Sequence, residues 1–97
     1  MTPGETIAYV TDAGYTDENR RRIVNLARGA TRFFVEATFL HADMALARDR
    51  GHLTARQAGE LARACGAAFV TPFHFSPRYE GRGDELQAEV AAAHAGA

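Results

Sequence analysis

Four residues carry the chemistry that this sequence can offer: Asp12, Glu36, His52 and His74. Three of them stand at the ends of β-rich, apolar segments. Thr6–Thr11 runs into Asp12, Thr31–Val35 into Glu36, and Ala68–Phe73 into His74, while His52 follows Gly51 in a turn-forming stretch. Carboxylate oxygens and neutral imidazole nitrogens that converge on one cleft are what a zinc or other divalent site requires, with further groups to orient the donors. The same residues have plainer readings. Asp12 before Gly14 suits a turn, Glu36 suits an ion pair with an arginine, His52 suits capping chemistry beside Thr54, and His74 suits a structural role after its strand.

Whether these residues meet depends on the elements that carry them. Thr6–Thr11 is apolar on both faces, the pattern of a buried parallel strand. Thr16 caps a helix with Asp17 and Glu18 in its first turn, and Ile23, Val24, Leu26 and Ala27 give that helix an apolar face before Gly29 stops it. A second strand covers 31–37, and Met44–Arg48 reads as a short helix that ends at Gly51. Thr54 and Gln57 form a capping-box pattern, opening a helix that turns Ala58, Leu61, Ala62 and Cys65 inward and closes at Gly66. The third strand, 68–74, contains Pro72, which places it at a sheet edge or gives it an irregular end. A last amphipathic helix, Asp84–His94, directs Leu86, Val90 and Ala93 to the core. The order β-α-β-(α)-α-β-α predicts an α/β fold with a largely parallel sheet. In such sheets ligands gather at the carboxyl ends of the strands, the edge at which Asp12, Glu36 and His74 would lie.

Composition narrows the classes. The 97 residues are 46% hydrophobic and 24% charged, as in an ordinary folded chain, and fit one small domain. A chain of this size buries only about 60–65% of its unfolded surface, so a partner would add much to its stability. No apolar run is long enough to span a membrane, and the first four residues lack the basic and apolar regions of a signal peptide. A cytoplasmic location is expected. One cysteine, Cys65, excludes an internal disulfide and a cysteine-rich zinc framework, and it reads as a core residue. All eleven basic residues are arginine, yet the formal charge is −1, so there is no bulk pull toward nucleic acid.

Four segments, in order, resemble the C-terminal part of ribonuclease Z, the zinc-dependent tRNA 3′-processing endonuclease of the metallo-β-lactamase fold. Tyr9-Val10-Thr11-Asp12 resembles the family's strand ending in a metal-bridging aspartate. Val35-Glu36-Ala37-Thr38 resembles its His-Glu-Ala-Thr element, with valine in the first place. Gly51-His52-Leu53-Thr54-Ala55-Arg56-Gln57-Ala58 resembles its Gly-His-Ser-Thr-x-x-Gln-Ala element, and His74-Phe75-Ser76-Pro77-Arg78-Tyr79 its His-Phe-Ser-x-Arg-Tyr element.

The resemblance implies the C-terminal half of an αββα sandwich across residues 1–97 and a role for each matching residue. Asp12 would bridge two zinc ions and His74 would ligate one. A two-metal site lowers the pKa of a bound water and stabilises the charge developing on a phosphodiester. His52 would act near the leaving oxygen or the phosphate, and Glu36 would accept its other ring proton and fix its tautomer. Ser76 and Arg78 would contact phosphate, with Arg78 pairing to Glu80 or Glu85 as the plainer alternative. His41 and His94 match no motif and read as surface residues.

The departures are as informative. The family's His-x-His-x-Asp-His element, a further ligand histidine and the tRNA-binding arm are not in these residues. Two ligands do not make a tight zinc site, so no hydrolysis is expected from this polypeptide alone. A sheet without its partner would expose Phe33 or Phe34, Val35, Val70 and Ile7 as an apolar patch, predicting self-association or pairing with an N-terminal half-domain. Three functions compete: part of an RNA-cleaving phosphodiesterase, part of a hydrolase of the same fold with a non-RNA substrate, and a non-catalytic half-domain that lends its sheet to a partner.

Overall fold

The computed structural model describes residues 6–11 and 14–96, which form one sheet packed with helices. In chain order the elements are β1 (Ile7–Val10), α1 (Asp17–Ala27), β2 (Arg32–Glu36), α2 (Met44–Asp49), α3 (Ala55–Cys65), β3 (Phe69–Phe73) and α4 (Gly83–Ala95). Short 3₁₀ turns at His41–Asp43 and Pro77–Tyr79 complete the order. The three strands lie in the order β1-β2-β3 and pair in parallel, Val10 opposite Val35 and Val35 opposite Pro72. The sequence-derived α/β order and parallel sheet are therefore observed.

Local chemistry sets the helix ends. The Thr16 hydroxyl accepts from the Asn19 amide to start α1. At α3 both halves of the capping box form: Thr54 Oγ1 accepts from Gln57 N at 3.2 Å, and Gln57 Oε1 accepts from Thr54 N at 3.0 Å. Gly66 closes α3 with a left-handed φ of 74°. Gly59 matters for packing instead. A Cβ there would lie 2.4 Å from the Val90 carbonyl oxygen and 2.7 Å from the Ala93 Cβ, so glycine lets α3 and α4 approach closely.

Strand pairing decides which residues share a face. Phe33 and Val35 of β2 are fully buried in the core with Ile23, Leu61, Leu86 and Val90 from α1, α3 and α4. Their neighbours in sequence fall on the opposite face with Ile7, Tyr9, Phe34, Phe69 and Phe73. Tyr9 is 66% and Phe69 56% exposed there; Tyr9 stacks on Phe34 with ring centroids 4.7 Å apart, and Arg32 lies over Phe69.

Three expectations are corrected. Among the described residues β1 is an edge strand rather than a buried one, because there only β2 has a neighbour on both sides. The open apolar face contains Ile7 and Phe34 as anticipated, but Phe33 and Val35 are covered by the helices and Val70 is half-buried with them. Leu26, expected on the apolar face of α1, is 80% exposed, because the buried line of that helix runs through Ile23 and Ala27.

Candidate functional site

Beyond β2 the chain stays extended and is held on both sides. The Ala37 amide donates to the Phe73 carbonyl, and the Ser76 amide donates to the Thr38 carbonyl. On the other side the Thr38 amide donates to the Leu53 carbonyl and the Ala55 amide to that of Phe39, forming a parallel bridge between Phe39 and Thr54. Segment 37–39 is thus flanked by the loops that carry His52 and His74.

The Glu36 carboxylate, only 5% exposed, is where these loops meet. Its Oε1 lies 3.0 Å from His74 Nδ1 and 3.6 Å from His52 Nδ1, and Thr38 Oγ1 donates to it at 3.4 Å. An ionised carboxylate only accepts, so the close approach assigns the His74 hydrogen to Nδ1 and leaves Nε2 with a lone pair when the ring is neutral. The His74 backbone adopts a left-handed φ of 61°, unusual outside glycine and costing of order 1 kcal/mol or more. This conformation follows directly on β3 and accompanies the return of the ring to β2's terminal carboxylate. His74 remains 67% exposed, whereas His52 is 29% exposed and lies beside the buried Phe39 ring, with centroids 6.1 Å apart.

A carboxylate that holds the Nδ1 side of a histidine while the other nitrogen stays a donor is the usual support for a metal-ligating imidazole. His74 fits that role. Among the described residues no group of three or more His, Cys, Asp or Glu is arranged to hold a metal ion. Asp12, the expected bridging ligand, lies outside the described residues.

The remaining candidates settle differently. Ser76 Oγ accepts from the Arg78 amide at 3.4 Å, and both residues line a cavity of about 240 Å³ with Phe39, Leu46 and Arg50. Glu85 is engaged by Arg82, at 2.6 and 2.9 Å, and that guanidinium holds the Glu85 carboxyl below its ordinary pKa; Arg78 makes no ion pair with it. His52 also lines a groove of about 580 Å³ with Tyr15, Thr16, Arg48 and Gln57.

Sequence reasoning missed a second polar network. His41 and His94, read as surface residues, are half-buried and bonded. His41 Nδ1 lies 3.0 Å from Thr54 Oγ1, and its amide donates to Glu89 at 2.9 Å; His94 Nε2 donates to the Ala67 carbonyl at 2.7 Å. The Thr54 hydroxyl thus meets His41, not His52. Tyr79 donates to Asp43 and accepts from the Leu40 amide, and burial together with Asp43 pushes its hydroxyl pKa up. These partners lie up to 48 residues apart, with no local pattern to reveal them.

The fold and this site define a class. A family model described as the β-lactamase superfamily domain matches residues 1–75, and the chain belongs to that superfamily. The metallo-β-lactamase fold protein YhfI from Bacillus subtilis superposes with a TM-score of 0.77 over 92% of this chain and 34% of its own, at 22% identity, a likeness of fold. Within the superfamily the sequence is similar to ribonuclease Z. It is 43% identical to ribonuclease Z of Exiguobacterium sp. over 91% of this chain and 28% of that protein. It is also 43% identical to ribonuclease Z of Thermobifida fusca, over 99% and 29%. The crystal structure of human tRNase Z, short form, matches with a TM-score of 0.64 and 32% identity over 76% of this chain and 28% of that one. The chain therefore spans about a third or less of the length of each of these proteins.

Proposed function

We propose that residues 1–97 are the C-terminal part of a metallo-β-lactamase-like domain whose complete form is a cytoplasmic, zinc-dependent phosphodiesterase cutting tRNA precursors. The observation that carries this reading is the Glu36 junction, which draws one imidazole from each flanking loop to the end of β2. Similarity to ribonucleases Z across nearly the whole chain supports the substrate class.

In this reading His74 and Asp12 hold zinc together with ligands from an N-terminal half-domain. Zinc, when bound, supplies Lewis acidity for water activation and for the charge on the phosphate. The chain's own residues do the rest. Glu36 orients both rings, His52 donates a proton or a charge-assisted hydrogen bond to the leaving oxygen, and Ser76 and Arg78 hold phosphate. The open face of Ile7, Tyr9, Phe34 and Phe69 takes the N-terminal half-domain, or a second copy in its absence.

The test is reconstitution with a polypeptide carrying His-x-His-x-Asp-His, followed by cleavage of a tRNA precursor. His52→Ala retains zinc and loses most turnover, whereas Asp12→Ala and His74→Ala lose metal as well. Zinc lost from His52→Ala but kept by both ligand variants would overturn the assignment. Turnover of other phosphodiesters or esters, with the tRNA precursor left intact, would move the chain to a hydrolase with a different substrate.

A further inference from the structure

The cavity of about 240 Å³ that holds Ser76 and Arg78 has a second cation, Arg50. The two arginines come from separate elements, Arg50 from the C-terminal cap of α2 and Arg78 from the 3₁₀ turn after β3. Neither guanidinium makes an ion pair or side-chain hydrogen bond with another described residue. The carboxylates beside them in sequence, Asp49 and Glu80, form no ion pair with either guanidinium, and Asp43 and Glu85 are engaged by Tyr79 and Arg82. Like charges gathered on one cavity without a counter-ion repel each other, and an anion between them relieves that repulsion. Guanidinium forks match phosphate oxygens, and the Ser76 hydroxyl adds a donor. Leu46 supplies an apolar wall, and Phe39, which also lines the cavity, has its ring beside His52, so one buried side chain separates the cavity from His52.

We propose that Arg50 is a substrate-binding residue. With Arg78 and Ser76 it holds a phosphate of the RNA strand next to the one presented to His52, while the sugar rests against Leu46. This rests on the reading of the chain as part of an RNA phosphodiesterase, whereas the anion pocket itself rests on the cavity. Arg50 positions no metal ligand and is exposed at a helix end, so its removal leaves the core intact.

The experiment uses the full chain, with two probes. A labelled single-stranded RNA hexanucleotide is titrated by anisotropy across a salt series, and inorganic phosphate is titrated while the arginine Nε resonances are followed. Arg50→Ala is expected to weaken RNA binding about 3- to 10-fold and reduce the slope of log K against log salt by about one. Arg50→Lys recovers part of the affinity, and Arg21→Ala on α1 changes neither quantity. RNA binding unaltered by Arg50→Ala, with Arg78→Ala weakening it, would remove Arg50 from the site and leave the functional reading standing. Phosphate binding that depends on Arg50, with no RNA binding, would support the pocket and overturn the RNA reading. Binding of neither probe overturns the proposal.

Discussion

Glu36 stands closer to His74 than to His52, with Oε1–Nδ1 distances of 3.0 and 3.6 Å. The resemblance assigns Glu36 to His52 alone, but the geometry makes one buried carboxylate the shared support of two imidazoles with different proposed tasks. Glu36→Gln keeps a hydrogen-bond acceptor of the same shape and removes the charge. In the reconstituted protein this variant should bind zinc about 10- to 100-fold more weakly, as is usual when the group behind a ligand histidine is lost. Competition against a chromophoric chelator measures the change. Unaltered affinity would show that Glu36 serves His52 only.

Thr54 is fully buried, and its hydroxyl both caps α3 and meets His41. Thr54→Ala should cost about 1–2 kcal/mol in urea unfolding, the upper part of the range for losing a cap. Thr54→Ser keeps the oxygen and should recover most of that loss. Equal destabilisation by both substitutions would point to the methyl group instead.

Gly59→Ala improves intrinsic helix propensity by about 1 kcal/mol. Its added methyl would collide with backbone on α4, 2.4 Å from the Val90 carbonyl oxygen, and neither helix can yield locally. The collision should win, giving a net loss of about 1–3 kcal/mol. A raised thermal midpoint would show that the helices separate without cost.

Burial raises the pKa of the Cys65 thiol above its ordinary 9.0, and burial with the Asp43 contact raises that of Tyr79 above 10.0. In each case the unfolded chain releases the proton first, so the unfolded state binds fewer protons over the interval between the two values. Stability is then full below about pH 9 and falls as pH rises through that interval. Cys65→Ala should lessen the fall that begins near pH 9, as followed by urea titrations from pH 8 to 11. Alkylation of Cys65 should also be slow in the folded protein and speed up on unfolding.

Much of the frame was legible because it depends on local chemistry. Thr16, the Thr54–Gln57 box and Gly66 mark helix ends through hydrogen bonds within a few residues, and β-rich apolar runs and helical patterning mark the elements. Pro72 marked β3 for a sheet edge or an irregular end because proline cannot donate to a ladder, and among the described residues β3 lies at an edge. Apolar content alone could not rank the strands. Tyr9 and Val10 read alike in sequence, and only the packing of the helices on one face of the sheet buries Val10 and leaves Tyr9 in the open.

The sequence by itself determined which residues had the chemistry to form a site, because side-chain type and strand-end position are local properties: Glu36, His52 and His74 were candidates on those grounds. Tertiary structure decided their relations. The bridge of Phe39 to Thr54 and the bonds from Ala37 and Ser76 bring two loops to one carboxylate, and the left-handed turn at His74 accompanies that ring's approach to Glu36. The convergence of Arg50 on Arg78, 28 residues later, belongs to the same order of information. Such distances follow from how separate elements pack, and no local periodicity records them.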